Sequence, residues 1–241
     1  MSKWFDGNKK IWKWLAILSI GVNLFCFIVL LTKITNKIEE KISVSTNGGG
    51  YNYHANPYYD AYLSTFLLND KKSNIVFLGD SITLGGKWEE FFPDKSILNR
   101  GIGSDVSEGI LERFYEVERH APNKIFLMVG CNDIAMDIPM DKTVENVEQI
   151  LIKASRDLPK CTIYLQSILP SHLDNGKIRE LNSAYKKLSE QYDNCIYINL
   201  YPLFLDEDGN PNDKYFAFDQ VHLTGEGYFI WINEIKDLIS A

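Results

Sequence analysis

The chain has 241 residues, of which 45% are hydrophobic and 24% are charged, a composition typical of one globular domain with an additional segment. After residue 45, 18 basic and 29 acidic residues leave a formal charge of about −11. Such a surface repels nucleic acid and anionic lipid, so neither is expected as a ligand of the folded part.

The additional segment lies at the N-terminus. Residues 14–32 are nineteen positions without a charged side chain, close to the roughly 20 that a helix needs to cross the hydrocarbon layer. We predict a transmembrane helix here. A cleaved signal peptide, the alternative, usually has an apolar core of about 7–15 residues with a small-residue site directly after it, whereas "KITNKIEEK" follows this one. A buried core helix would need a polar face, and Ser19 and Asn23 are too few to form one.

Lysines on either side of the span indicate its orientation. Four lysines precede it and three follow it closely, a bias that favours a cytoplasmic N-terminus. Residues 1–13 are then a short cytoplasmic head, residues 33–56 a flexible tether with a triple glycine, and residues 57–241 an extracytoplasmic domain. Cleavage of residues 14–32 as a signal would instead release that domain as a secreted protein.

Short apolar runs alternate with amphipathic segments after residue 57. The runs are β-branched and bounded by turn residues, which is typical of strands buried on both faces; they are residues 74–79, 96–101, 124–130, 161–170 and 195–204. Helical spacing of apolar residues predicts helices over 106–122, 140–159, 176–192 and 223–240. The alternation predicts an α/β fold with a five-stranded parallel sheet and helices on both faces.

The four cysteines include no C-x-x-C pair that would suggest zinc or redox chemistry. Cys26 lies in the predicted span, and Cys131 is isolated. Cys161 and Cys195 each begin a predicted strand, so they could form a disulfide in an oxidising compartment if those strands are neighbours. Free buried thiols are the other interpretation.

Polar residues follow the predicted strands at the positions where parallel sheets bind their ligands. They are Asp80-Ser81 after the first strand, "NRGIGSD" (99–105) after the second, "GCND" (130–133) after the third and "DQVH" (219–222) before the last helix. Each group is weak evidence alone, because a tripeptide such as Gly-Asp-Ser is common in turns.

Together these groups contain the parts of an acyl-transfer site. A serine hydroxyl such as that of Ser81 needs an imidazole, here His222, to accept its proton as it attacks a carbonyl. A carboxylate such as Asp219 would hold that imidazole in one tautomer. The oxyanion formed by the attack needs donors, which the Ser81 N–H, a backbone N–H of the loop 99–105 and the Asn132 amide could supply.

The order "GDSIT", "NRGIGSD", "GCND", "DQVHLTGEGY" resembles the SGNH (GDSL-type) hydrolase family over residues 75–230. The resemblance implies a flavodoxin-like three-layer sandwich that hydrolyses esters. The segments "WEEFFP" (88–93) and "QSILP" (166–170) further resemble the branch that contains platelet-activating-factor acetylhydrolase-like enzymes and bacterial carbohydrate acetylesterases.

Carried over position by position, the resemblance implies these roles: Ser81 as nucleophile, His222 as base, Asp219 as its orienter, and Ser81 N–H and Asn132 as oxyanion donors. One position departs from the family pattern. Ser104 stands where many relatives have the oxyanion glycine, and Gly103 lies one place earlier, so either residue could supply the second backbone N–H. A serine N–H serves as well as that of glycine unless the loop needs a positive φ, which serine resists.

We therefore predict a membrane-tethered serine esterase that removes short acyl groups, most simply acetyl, from an extracytoplasmic glycan or a similar small acylated substrate. The triad supplies both nucleophile and proton transfer, so neither a cofactor nor a metal is expected. Two alternatives stay open. The same triad could pass the acyl group to a sugar hydroxyl in an O-acyltransferase, or the domain could be a surface binding module with an inactive site.

Overall fold

The structure is a computed structural model that describes Tyr53 and residues 56–240. A five-stranded parallel sheet has the strand order β2-β1-β3-β4-β5, which confirms the predicted α/β class. The strands are β1 (Ile75–Gly79), β2 (Ile97–Gly101), β3 (Lys124–Met128), β4 (Thr162–Gln166) and β5 (Cys195–Ile198). The helices are α1 (Tyr59–Leu67), α2 (Ser81–Gly85), α3 (Trp88–Phe91), α4 (Ser107–Glu112), α5 (Phe114–Glu118), α6 (Cys131–Ala135), α7 (Met140–Asp157), α8 (Asn175–Ser189) and α9 (Gly225–Ser240), with 3-10 turns at Tyr201–Phe204 and Asp213–Tyr215.

Helices cover both faces of the sheet and give it the expected three layers. On one face, α4, α5, α7 and α8 pack on alternate strand residues such as Val76 and Leu127. On the other face, α3 and α9 pack on the intervening residues. There the Trp88 ring stacks on Phe77 with centroids 3.9 Å apart, and Trp231 meets Trp88 edge-on. Burial on both faces explains why the strands appear in the sequence as continuous apolar runs.

The helix predicted over 106–122 is two short helices, α4 and α5. At Arg113 the backbone leaves α-helical geometry, with φ −92° and ψ 5°. The Arg113 side chain is fully buried and donates hydrogen bonds to main-chain carbonyls of β1 and β2. The residue at which the helix breaks is therefore also the residue whose side chain bonds the two helices to the sheet.

The last two strands are shorter than the predicted runs 161–170 and 195–204. Apolar residues beyond the ends of β4 and β5 are still buried, including Leu169 and Leu200, but they lie in connecting segments. After β5 the chain enters a 3-10 turn that contains Pro202, and proline cannot donate to a strand ladder. An apolar run thus predicted burial correctly and strand length incorrectly.

The packed part of the chain begins before Pro57, within the segment predicted as tether. Tyr53 and Asn56 are both buried, and Asn56 Nδ2 donates to the Gly103 carbonyl at 2.6 Å. The helix α1 that follows was not predicted from the sequence. The predicted head at 1–13, the span at 14–32 and most of the tether lie outside the described residues. Within Tyr53 and residues 56–240, no helix combines the length and apolar character needed to cross a membrane.

Three cysteines lie within the described residues, and Cys131, Cys161 and Cys195 are all buried free thiols. The disulfide alternative is therefore wrong. Although β4 and β5 are neighbours, their register pairs Cys195 with Ile163 and leaves Cys161 two residues away along the strand direction.

Candidate active site

The site lies where the winding of the sheet changes direction. Strand β1 has β2 on one side and β3 on the other, and its last residue, Gly79, is level with Gly101 of β2 and Met128 of β3. The segments that follow the three strands therefore start at the same edge of the sheet, in the crevice where parallel sheets bind ligands. These are the segments in which the sequence predicted a nucleophile and its oxyanion donors.

Glycines at the ends of β1 and β2 permit a close approach between the strands and α2. A Cβ atom at Gly79 would lie 2.2 Å from Thr83 Oγ1 and 2.4 Å from the Met128 carbonyl oxygen. A Cβ atom at Gly101 would lie 2.2 Å from the Leu84 nitrogen. No side chain fits at such distances. Glycine is thus required here by the space available.

The short helix α2 presents Ser81 as its first residue. Asp80 caps it, with Oδ1 accepting the Ile82 N–H at 2.9 Å, as expected from the preference of aspartate for this position. From the other end of the chain, Tyr228 of α9 donates its hydroxyl to the Ile82 carbonyl at 2.7 Å. The serine is therefore fixed by its own cap and by the last helix.

Ser81, His222 and Asp219 form a hydrogen-bonded chain. His222 Nε2 lies 2.9 Å from Ser81 Oγ, across 141 residues of sequence, and Nδ1 lies 2.7 Å from Asp219 Oδ2. Asp219 Oδ1 accepts the backbone N–H groups of Val221 and His222, each at 3.0 Å. The bond to the His222 ring and these backbone bonds lower the pKa of Asp219 to about 2. An ionised Asp219 accepts a hydrogen bond from Nδ1–H, so the ring proton stays on Nδ1 and Nε2 is free to accept a proton from Ser81.

The candidate oxyanion donors lie in the segments that follow β2 and β3, at the same edge of the sheet as Ser81. Asn132, near the start of α6, donates one amide hydrogen from Nδ2 to the Asp105 carbonyl at 2.8 Å and retains a second hydrogen. Within the described part of the chain, the N–H groups of Gly103 and Ser104 have no hydrogen-bond acceptor. The assignment of either as an oxyanion donor stays a prediction, as does that of Asn132.

Ser104 occupies the backbone conformation that serine resists. Its φ is +58°, and the side chain is exposed. A left-handed conformation costs a non-glycine residue about 1–2 kcal/mol. The glycine that the family resemblance implies here would adopt this conformation without strain. In this chain an exposed serine adopts it with strain.

We expect Ser104→Gly to stabilise the protein. Relief of the left-handed strain is partly offset by the greater freedom of glycine in the unfolded chain, which costs roughly 0.5–1 kcal/mol, so the expected gain is about 0.5–1 kcal/mol. Urea unfolding measures it. Ser104→Ala is the matched control, because alanine keeps the strain and should gain nothing. Equal stability of the two variants would contradict the strain at this position.

Three buried carboxylates surround the site. Burial raises the pKa of Asp80 to about 7 and that of Asp105 to about 6, the latter against the opposing charge of Arg113. Burial also raises the pKa of Asp133, whose carboxylate accepts hydrogen bonds from Ser107 Oγ at 2.5 Å and from Thr143 Oγ1 at 3.1 Å. Both partners of Asp133 are distant in the sequence, 26 and 10 residues away.

We expect Asp80→Asn to flatten the dependence of stability on pH. Because the folded-state pKa of Asp80 lies above the unfolded value of about 3.9, its contribution is fully present below pH 4 and is lost as the pH rises through 7. The asparagine variant should therefore gain stability relative to the wild type over that range, by up to about 4 kcal/mol. Urea unfolding at pH 4.5, 6 and 7.5 measures this. Asp94→Asn, at an exposed position, is the control, and parallel curves for wild type and Asp80→Asn would refute the expectation.

Cys131 lies next to Asn132 but does not act as a rival nucleophile. Its side chain is buried, and burial, followed by the charges of Asp80 and Asp133, raises the pKa of the thiol to about 12. The reactive form of cysteine is the thiolate. The Cys131 thiol is therefore neutral and lacks the form in which cysteine attacks a carbonyl.

The fold is a parallel α/β sandwich, and a hydrogen-bonded Ser-His-Asp set lies beyond the carboxyl end of its first strand. The sequence profile of the GDSL-like Lipase/Acylhydrolase family matches residues 77–230. The chain belongs to this family, which confirms the family resemblance seen in its motifs, and it is a hydrolase that acts on esters.

Individual relatives support the same assignment. Platelet-activating factor acetylhydrolase IB subunit alpha2 of Rattus norvegicus is 26% identical over 180 residues, which cover 70% of this chain and 77% of that protein. A solved structure of a Streptococcus pneumonia protein named for platelet activating factor is 30% identical, with a TM-score of 0.68, over 75% of this chain and 90% of its own. A GDSL-like lipase from Bacteroides thetaiotaomicron is 27% identical, with a TM-score of 0.66, over 76% of this chain and 97% of its own.

Proposed function

We propose that the protein hydrolyses short-chain acyl esters, most simply acetyl esters, by nucleophilic attack of Ser81. The observation that carries the proposal is the continuous set of hydrogen bonds from Ser81 Oγ through His222 to Asp219, at 2.9 and 2.7 Å. The name of the rat relative, an acetylhydrolase, supports acetyl as the acyl group.

The mechanism follows from the geometry. His222 Nε2 takes the hydroxyl proton as Ser81 Oγ bonds to the acyl carbon, and the carbonyl electrons move onto oxygen. The free hydrogen of Asn132 and the N–H groups of Ser81 and of the Gly103–Ser104 loop stabilise that charge. His222 then gives the proton to the departing alcohol oxygen, which leaves an acyl-serine. Water repeats the sequence and releases the carboxylic acid and the free serine.

Solvent access to the site favours hydrolysis over transfer to a sugar. The side chains of His222 and Asp219 are 48% and 38% exposed, so water has access to the base. In a transferase, water must reach the acyl-enzyme less readily than the sugar acceptor does. We therefore place the O-acyltransferase second.

A panel of p-nitrophenyl esters and acetylated sugars tests the substrate class. We expect the highest kcat/KM for acetate, a steady decrease with acyl length, and one equivalent of free acetate per alcohol released even with excess sugar present. Acylated sugar as the main product would establish the transferase instead. A preference for long acyl chains would exclude the short-chain proposal.

We further propose that the substrate is an extracytoplasmic glycan or similar small acylated molecule, and that residues 14–32 anchor the chain with its N-terminus in the cytoplasm. The support is the uncharged segment, the lysine distribution and the resemblance to carbohydrate acetylesterases. The acidic domain surface suits a neutral or cationic substrate.

Membrane fractionation of the full chain tests the anchor. We expect the protein to stay in the membrane pellet after alkaline carbonate washing, and a variant that lacks residues 1–32 to be released. A mature protein in the medium whose N-terminus follows residue 32 would establish signal cleavage instead.

A further inference from the structure

One fully buried side chain, Arg113, connects the parts of the site. Its Nε donates to Asp105 Oδ2 at 2.8 Å. Its Nη2 donates to the carbonyl oxygen of Arg100 at 2.8 Å and to that of Gly79 at 3.1 Å. The side chains of Arg113 and Asp105 are both 0% exposed, so the ion pair and its hydrogen bonds are shielded from water.

The three acceptors belong to the segments that carry the reacting groups. Gly79 ends β1 two residues before Ser81, and Arg100 lies in β2 just before the loop that contains Ser104. Asp105 ends that loop, and its own carbonyl accepts the Asn132 amide at 2.8 Å. A single guanidinium therefore joins the strand that leads to the nucleophile with the loop that leads to the oxyanion donors.

The chemistry of arginine suits this task. A planar guanidinium presents several N–H donors in a fixed arrangement, so it can satisfy a carboxylate and two carbonyls at once, whereas a lysine ammonium acts as a compact point charge. A buried ion pair contributes little net stability compared with well-packed apolar residues. The contacts of Arg113 with both halves of the site indicate a role in geometry.

We infer that Arg113 is a positioning residue, which acts through Asp105 to hold the oxyanion donors at a fixed distance from Ser81 Oγ. The inference rests on the proposed attack by Ser81. Oxyanion stabilisation requires donors already aligned with the developing charge. Ser104, with its strained positive φ, lies in the same loop. Because a change of backbone conformation would relieve that strain, we expect the loop to shift when Arg113 no longer holds it.

Arg113→Lys tests the inference. We expect kcat for p-nitrophenyl acetate to fall by about 10- to 100-fold, with little change in KM and no change in the pH midpoint of kcat/KM, because the bonds among Ser81, His222 and Asp219 remain. The matched control is Arg100→Lys. Arg100 forms a similarly buried ion pair with Glu116 at 2.9 Å, and its side chain also bonds to His120 and to the Asn99 carbonyl. Within the described residues it has no hydrogen bond to residues 101–105 or to Gly79, and lysine keeps the main-chain carbonyl that accepts from Arg113. This variant should therefore keep kcat within about twofold of the wild type.

A double-mutant cycle with Asn132→Ala separates positioning from general stability. If Arg113 acts through the oxyanion donors, the combined variant should lose much less activity than the product of the two single losses. Three results would each overturn the inference. The two losses in kcat could multiply in the combined variant, Arg113→Lys could keep the wild-type kcat, or Arg100→Lys could lose as much activity as Arg113→Lys.

Asp105→Asn provides the same test if Arg113→Lys does not fold. Asparagine keeps the size of the side chain and the main-chain carbonyl that accepts the Asn132 amide, and it removes the charge that pairs with Arg113. We expect the same pattern of lower kcat, unchanged KM and non-additivity with Asn132→Ala. Activity that survives Ser81→Ala would refute the proposed function itself, whereas a fully active Asp105→Asn in an enzyme that needs Ser81 would overturn only the positioning role.

Discussion

Replacement of Ser81 with alanine is expected to abolish ester hydrolysis, with kcat lower by roughly 10⁴- to 10⁶-fold. The reason is that His222 Nε2, 2.9 Å from Ser81 Oγ, has no other hydroxyl in the hydrogen-bonded chain to activate. Initial rates on p-nitrophenyl acetate measure the loss. Labelling with a fluorophosphonate probe, which bonds to activated serines, should disappear in the same variant.

The control for this experiment is Ser64→Ala, at an exposed position on α1, which should keep wild-type rates and labelling. Hydrolysis at the wild-type rate in Ser81→Ala would end the proposal of a serine nucleophile. A wild-type protein that neither hydrolyses esters nor takes the label would establish the inactive binding module.

Asn132→Ala is expected to lower kcat by about 10²- to 10³-fold while KM for a small ester changes little. In the proposed mechanism, the amide hydrogen that does not bond to Asp105 bonds to the charge that develops during attack, so its loss should affect the transition state more than the bound ester. Steady-state kinetics on acetyl esters separate the two parameters.

Asn233→Ala, on the exposed face of α9, serves as the comparison and should leave both parameters unchanged. A wild-type kcat in Asn132→Ala would assign the stabilisation of the oxyanion to backbone N–H groups alone. An increase in KM without a change in kcat would make Asn132 a substrate-binding residue rather than an oxyanion donor.

The sequence predicted the sheet well because its strands are buried on both faces. Residues 75–78 are apolar at every position, and the structure buries every residue of β1. Polar residues directly after such runs could be placed at one edge of the sheet, because parallel strands end together. The contact between Ser81 and His222 was inferred from the chemistry of the two side chains and from the order of the family motifs. No local pattern connects positions that are 141 residues apart.

Features that depend on contacts distant in sequence were missed. The helical spacing over 106–122 gave no sign of the break at Arg113, because that break accompanies bonds to β1 and β2. No local pattern indicated that the Asp133 carboxylate accepts a hydrogen bond from Ser107, which lies 26 residues earlier in the chain. Helix α1 escaped notice because its few buried residues, Tyr59 and Phe66, are too sparse to show a clear period.

The bond between Tyr228 and the Ile82 carbonyl joins two segments that are 146 residues apart in the chain. A ribosome makes Ser81 after the first strand, whereas His222 and the helix α9, which holds α2, follow the fifth. A chain synthesised only as far as β5 therefore has the serine without the imidazole that bonds to it and without the helix that holds α2. We expect the site to assemble only after all five strands have been made.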